Sequence, residues 1–255
     1  MLQPNHKLSR ASLRPLSGRD EEWLARHRNT PNAVRVTWLL NGCLLTLDDA
    51  PVDGACVQQM LVGDREFLML QLRRMTFGDH VQAVVNCPVC GSKMDVDFRL
   101  DLVPVQARQQ SEATFTMEIS GRRVRFRLPN GGDQEAVIQQ EKAVDALLDR
   151  CIVDDGAQPL SGEDREALIA EMERLAPHVD VELELACPEC SHEFMLPFDT
   201  TSFFFEEMAV KSDELLREVH ALAFYYHWSE SEILGLERRR RRAYLALLNE
   251  ALRQD

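Results

Sequence analysis

The chain of 255 residues has no apolar run near the roughly 20 residues that span a bilayer, so no membrane helix is expected. Its opening residues, MLQPNHKLSRASLRPLSG, lack the apolar core that a secretory leader needs. The expected setting is therefore cytoplasmic, with reduced cysteines. Cations are the scarcer charge: 29 Lys and Arg stand against 42 Asp and Glu, for a net charge of -13. Nucleic acid and anionic membrane both reward cationic protein surface, so a broad binder of either is disfavoured. Common catalytic signatures are missing too, with no Gly-rich phosphate loop, no HExxH helix and no nucleophile elbow. The expectation is a protein that is not an enzyme.

What is present is ordinary in bulk, 45% hydrophobic and 28% charged, which suits a globular chain of one large or two small domains. One stretch, however, occurs twice. HVQAVVNCPVCGSKMDVDF runs from His80 to Phe98, and HVDVELELACPECSHEFMLPF from His178 to Phe198. Each copy has a His-Val start, an alternating strand, a Cys-Pro-x-Cys tip and a second alternating run ending in Phe. Alternation buries one face of a strand, because successive side chains point to opposite sides. Both copies thus read as β-hairpins with a CPxC tip, turned at Gly91-Ser92-Lys93 and Ser191-His192-Glu193.

Two thiolates two residues apart at a hairpin tip can both reach one tetrahedral zinc, which needs four such ligands. Cys87, Cys90, Cys187 and Cys190 supply four, and one structural zinc per chain is expected. The 96 residues between Cys90 and Cys187 are far more than a ribbon usually holds, so the reading is one zinc ribbon with a large insertion. A redox role for either pair is disfavoured, because it wants its first cysteine at a helix N-terminus; disulfides would need an oxidising compartment. His192 reads as a turn residue, and His80 and His178 as polar strand starts. Cys43, Cys56 and Cys151 read as small buried hydrophobes.

The fold class expected is α+β: helical N- and C-terminal parts around a split zinc ribbon, with a β-hairpin and helices inserted. The boundaries are a flexible segment over 1–17, a helical region over 18–78, the first knuckle hairpin over 79–104, the insertion over 105–176, the second knuckle hairpin over 177–200 and a helical region over 201–255. Ser17-x-x-Asp20 spells a capping box, Pro31 separates that helix from one running through Leu45, and Asp53 caps a short third. Gly63-Asp64 starts a helix reaching Met75. A linker covers Pro104 to Ser111. Ala113–Ile119 and Arg122–Leu128 form a hairpin across Ser120-Gly121. Asp133 caps a helix reaching Cys151, Pro159-Leu160-Ser161 leads into the next, Ser202 starts one through Leu222, and Ser229-x-x-Glu232 boxes another.

The one basic run is Arg238, Arg239, Arg240, Arg241 and Arg242. At about 100° per residue, five arginines ring a helix instead of forming a stripe. They read first as a solvated surface and second as a candidate partner-binding site, since an acidic surface would relieve cations at the positive end of a helix. Nucleic acid is the third and unlikely reading, and a nucleic-acid-binding zinc ribbon is the alternative function.

Several phrases together carry a resemblance. Leu13-Arg14-Pro15-Leu16-Ser17-Gly18, Gly63-Asp64-Arg65-Glu66-Phe67-Leu68, Phe77-Gly78-Asp79, both CPxC tips, Phe126-Arg127-Leu128-Pro129 and Tyr226-His227-Trp228-Ser229 resemble the T-even-phage-type baseplate hub assembly chaperone family, which has relatives beside contractile injection systems. The likeness implies a non-enzymatic protein acting in assembly of a contractile-tail baseplate, as chaperone or component. Its implied partners are hub or tail-spike proteins of the particle, with no membrane involved.

Overall fold

Short polar phrases start most of the helices. Ser17, Asn130, Ser161 and Ser229 each face an acidic residue three positions on, so two orphan N–H groups are satisfied reciprocally in each capping box. The computed structural model describes residues 10–106, 112–153, 160–179 and 181–254. Residues 1–9 of the expected flexible segment, 107–111 of the expected linker, Pro159 and Asp180 lie outside the described residues.

In chain order the elements are β1 (Ala11–Leu13), α1 (Gly18–Arg26), α2 (Asn32–Cys43), β2 (Leu44–Leu47), β3 (Ala50–Pro51), α3 (Gly54–Gln59), α4 (Val62–Phe77), β4 (His80–Asn86), β5 (Lys93–Arg99), β6 (Val105–Gln106), β7 (Phe115–Ile119) and β8 (Arg122–Phe126). Then follow α5 (Gly131–Ala136), α6 (Ala143–Cys151), α7 (Gly162–Leu175), β9 (His178–Val179), β10 (Glu182–Ala186), β11 (Glu193–Pro197), α8 (Thr200–Val210), α9 (Ser212–Tyr226), α10 (Glu230–Leu234) and α11 (Arg238–Gln254). Helix and sheet are mixed throughout.

Packing divides the chain into two units. Unit one takes the described parts of 1–12, 36–68 and 105–179. Its core sets Phe115, Ile119, Val124 and Phe126 of the β7–β8 hairpin, with Leu128, against Leu148 and Cys151 of α6 and Leu168, Met172 and Leu175 of α7. Each large apolar side chain buried this way contributes about 1.5–3 kcal/mol. The same unit holds the three-stranded sheet β1-β2-β3 and the pairing of β6 with β9. Beneath α5, the guanidinium of Arg65 lies where Gly131 has no side chain; a Cβ there would come within 1.2 Å of Nη1. Arg65 also donates to the Thr37 hydroxyl at 2.7 Å.

Unit two takes the described parts of 13–35, 69–104 and 180–255. Leu24 of α1, Phe204, Phe205 and Met208 of α8, Leu215 and Leu222 of α9 and Ile233 of α10 are buried in it. It also carries two separate two-stranded sheets, β4–β5 and β10–β11.

Several sequence-based boundaries need correction. The second helix ends at Cys43, because Leu44–Leu47 pairs as a strand with β3; Leu45 is therefore in β2, where tertiary pairing overrides helical spacing. The helix expected from Asp133 to Cys151 is two, α5 and α6. Asn130 is its N-cap, and Asp133 closes the box from the third position. The helix expected from Ser202 is likewise two, capped by Asp199 and interrupted at Lys211. His178 and Val179 do not begin the second hairpin strand; they pair with Gln106 and Val105, and the strand starts at Glu182.

Candidate metal centre

In the first hairpin the ladder runs from His80↔Arg99 to Asn86↔Lys93, leaving Cys87 to Ser92 as the tip. In the second it runs from Glu182↔Pro197 to Ala186↔Glu193, leaving Cys187 to His192. The two tips follow the same backbone path. Cys87 N–H donates to the Ser92 carbonyl and Gly91 N–H to the Cys87 carbonyl, both at 2.9 Å. Cys187 N–H donates to the His192 carbonyl and Ser191 N–H to the Cys187 carbonyl, again at 2.9 Å. Such a tight turn needs a left-handed residue after its second cysteine. Gly91 meets this with φ +72°, whereas Ser191 does so with φ +56° and bears the cost of a side chain in that region.

These turns bring all four Sγ atoms within 4.8 Å of one another. Cys87 and Cys190 are 3.7 Å apart, and Cys90 and Cys187 are 3.6 Å apart. With metal–sulfur bonds of about 2.3 Å, a regular tetrahedron has sulfur–sulfur edges of about 3.8 Å. The four thiols therefore fit around one ion, and they can hold a metal. Cys87 and Cys187 are buried and Cys90 and Cys190 exposed, over a small apolar base of Val85, Met94, Leu185 and Phe194.

Local N–H groups point at the sulfurs. Backbone N–H groups of Cys90 and Val89 lower the Cys87 thiol. The Ser92 hydroxyl and N–H bring Cys90 down to about 6. The His192 N–H pulls Cys190 down, but partial desolvation at the tip and the neighbouring sulfurs of Cys90, Cys187 and Cys87 outweigh it and push it up to about 12. Such N–H···S bonds are what orients thiolates toward a metal. Neither pair stands at a helix N-terminus, the position that favours a redox cysteine. Among the described residues no histidine joins the four-sulfur group. His80 lies 2.6 Å from Asp97, and the His192 ring stacks on Phe194. Of the other cysteines, Cys43 and Cys151 are buried and Cys56 is partly buried.

The arginine run is not a solvated ring. Arg241 is completely buried: Nε donates to Glu218 at 2.9 Å, Nη1 to the Leu236 carbonyl at 2.8 Å and Nη2 to Glu21 at 2.6 Å. Arg238 is buried as well, donating to Glu21 and to Glu214 at 2.7 Å each. Arg242, half exposed, reaches Glu214 at 2.7 Å and Glu218 at 3.4 Å. Only Arg239 and Arg240 are exposed without an ion pair among the described residues. The acidic surface that cations at this helix start require is supplied by α1 and α9 of the same unit. Glu21, Glu214 and Glu218 were not singled out from the sequence, although a signal was there. Arg238, Arg241 and Arg242 share a helix face at i, i+3 and i+4, and Glu214 and Glu218 share one at i and i+4. This internal pairing also removes most of the cationic surface on which a nucleic-acid reading depended. Among the described residues no helix is long and apolar enough to cross a membrane.

The family model described as T4 bacteriophage base plate protein matches residues 5–153. That span includes the first CPxC tip and stops before the second. No curated protein and no solved structure matches the chain.

Proposed function

The chain belongs to the T4 bacteriophage base plate protein family, and we propose that it acts, without catalysing a reaction, in assembly of a contractile-tail baseplate of a phage or contractile injection system, as a hub assembly chaperone or a baseplate component. Family membership is the observation that carries the reading. It brings with it interaction with other baseplate components, and hub or tail-spike proteins are the partners proposed.

The metal proposed for the four-cysteine group is zinc, so that the two hairpins form a split zinc ribbon. An all-sulfur donor set, with two of its sulfur–sulfur edges at 3.7 and 3.6 Å and all within 4.8 Å, supports this choice. With four protein sulfurs around it, zinc keeps no open position for a substrate, and its part would be structural. It ties together cysteine pairs separated by 96 residues of chain, so its binding energy contributes directly to folding.

A tagged pull-down from producing cells, with mass spectrometry on finished particles, tests the role. Capture of hub or tail-spike proteins with absence from particles identifies a chaperone, and retention in particles identifies a component. Recovery of nucleic acid or metabolic enzymes with no tail protein would refute both.

A further inference from the structure

Within unit two, the end of α4, the start of β4, the α8–α9 junction and the first turn of α11 enclose a cavity of about 680 Å³. In a chain of net charge -13 its wall is mostly cationic, with Arg73, Arg74, Lys211, Arg238, Arg239 and Arg242 beside one carboxylate, Glu207. Carboxylates in and around the wall hold most of these. Glu207 takes Arg73 and Lys211, Asp79 takes Arg74, and Glu214 takes Arg238 and Arg242. Glu21 and Glu218 complete the set, but Arg241 shares both. Seven cations therefore meet five carboxylates, and the surplus lies at the cavity mouth, where Arg239 makes no ion pair among the described residues. The positive end of the 17-residue α11 adds to the field at the same place.

The inner cations are also held in position. Arg73 donates to the carbonyls of Gly78 at 2.6 Å and His80 at 2.9 Å as well as to Glu207. The Phe77 ring has Lys211 Nζ 4.0 Å and Arg238 Cζ 5.2 Å from its centroid. Fixed cations lose little conformational freedom when an anion arrives. Phe77 and the half-exposed Met75 give the same cavity an apolar side.

We propose that this cavity receives an acidic segment of a protein partner, its carboxylates meeting Arg239 and Arg242 and an apolar side chain lying against Phe77 and Met75. The inference rests on the reading that the chain works by binding another baseplate protein. Guanidinium–carboxylate pairing is already the chemistry of the wall. The apolar side favours a peptide over inorganic phosphate. A long polyanion such as nucleic acid would cross the negative remainder of the surface within a Debye length of about 8 Å, whereas a short segment meets the positive wall alone.

The test is a fluorescence-anisotropy titration of the full chain with a labelled peptide of alternating Glu and Leu, beside its Gln/Leu counterpart. Saturable binding of the acidic peptide is expected, with Arg239→Glu weakening it about tenfold or more. Arg240→Glu makes the same charge change one residue along, outside the cavity wall, and should alter binding less than about twofold. Melting temperatures of both variants show that they fold. Absence of saturable binding, equal losses in the two variants, or tighter binding of inorganic triphosphate or a DNA oligomer at the same site would each overturn the proposal. The titration is separable from the pull-down. Peptide binding with no tail protein captured counts against the baseplate reading alone, and capture undiminished by Arg239→Glu without peptide binding counts against this inference alone.

Discussion

Replacing Glu21 by alanine removes the carboxylate that two buried arginines share. The side chains of Arg241, Arg238 and Glu21 are 0%, 4% and 3% exposed, so water cannot take the lost partner's place. The change deletes charge-assisted bonds of 2.7 Å from Arg238 and 2.6 Å from Arg241, each of which contributes about 1.5–3 kcal/mol. Arg241 keeps Glu218 and the Leu236 carbonyl, and Arg238 keeps Glu214, so neither is wholly stranded. A cost of about 3–5 kcal/mol follows for a buried charge left short of its partner. Against a typical total of about 5–15 kcal/mol, that is a large fraction of folding stability. Urea unfolding followed by circular dichroism reads it as a lower midpoint. Pairing Glu21→Ala with Arg241→Met should recover part of the loss, because the double variant leaves fewer buried cations unmatched. A cost below about 1 kcal/mol, the range of an exposed pair, would refute the burial-based reasoning.

Gly63→Ala should reverse the usual gain of alanine in a helix, because its Cβ would come within 1.6 Å of the Pro177 carbonyl oxygen; Gly162→Ala, with nothing within 4 Å, should not. Thermal melts of the two should move in opposite directions, the first losing about 1–3 kcal/mol or more and the second gaining up to about 1 kcal/mol. Ser191→Gly should stabilise the second tip by up to about 1 kcal/mol by relieving the left-handed backbone, with metal content unchanged. In unit one, burial pushes the Asp133 carboxyl up, but bonds from Arg127, the Asn130 backbone and Arg150 outweigh this and hold it below the usual carboxylate range. Its stabilisation is complete above the unfolded value of about 3.9 and is lost as pH falls through the lower folded value. Urea midpoints measured down the acid limb should fall in the parent chain, and Asp133→Asn should flatten that fall while lowering stability at neutral pH.

The features legible from sequence were those written in local chemistry. The boxes at Ser17, Ser161 and Ser229 follow from spacing of three, and the alternation in Val81–Val85 and Met94–Phe98 follows from one buried face. The four cysteines named from their spacing lie together, because each tip dictates its own turn. What escaped depends on partners distant in sequence. Leu44–Leu47 becomes a strand only because β3 is there to pair with it, and His178–Val179 joins β6, more than 70 residues earlier in the chain. The breaks at Val137–Lys142 and Lys211 interrupt apolar spacing that continues on both sides, so periodicity alone ran the helices together. Burial of Arg238 and Arg241 turned on Glu21, 217 and 220 residues away, a pairing that composition read as a solvated ring. The match to baseplate proteins and the phrases at residues 13–18, 63–68 and 77–79 fall in the same part of the chain.

The measurement that bears most directly on the central claim is native mass spectrometry of the purified chain, with elemental analysis. One zinc per chain is predicted, lost equally on Cys87→Ser and Cys187→Ser, since ligands from both hairpins belong to one site. Two zincs per chain, with each variant losing only one, would contradict a shared centre, and a folded chain carrying no metal would contradict the centre altogether.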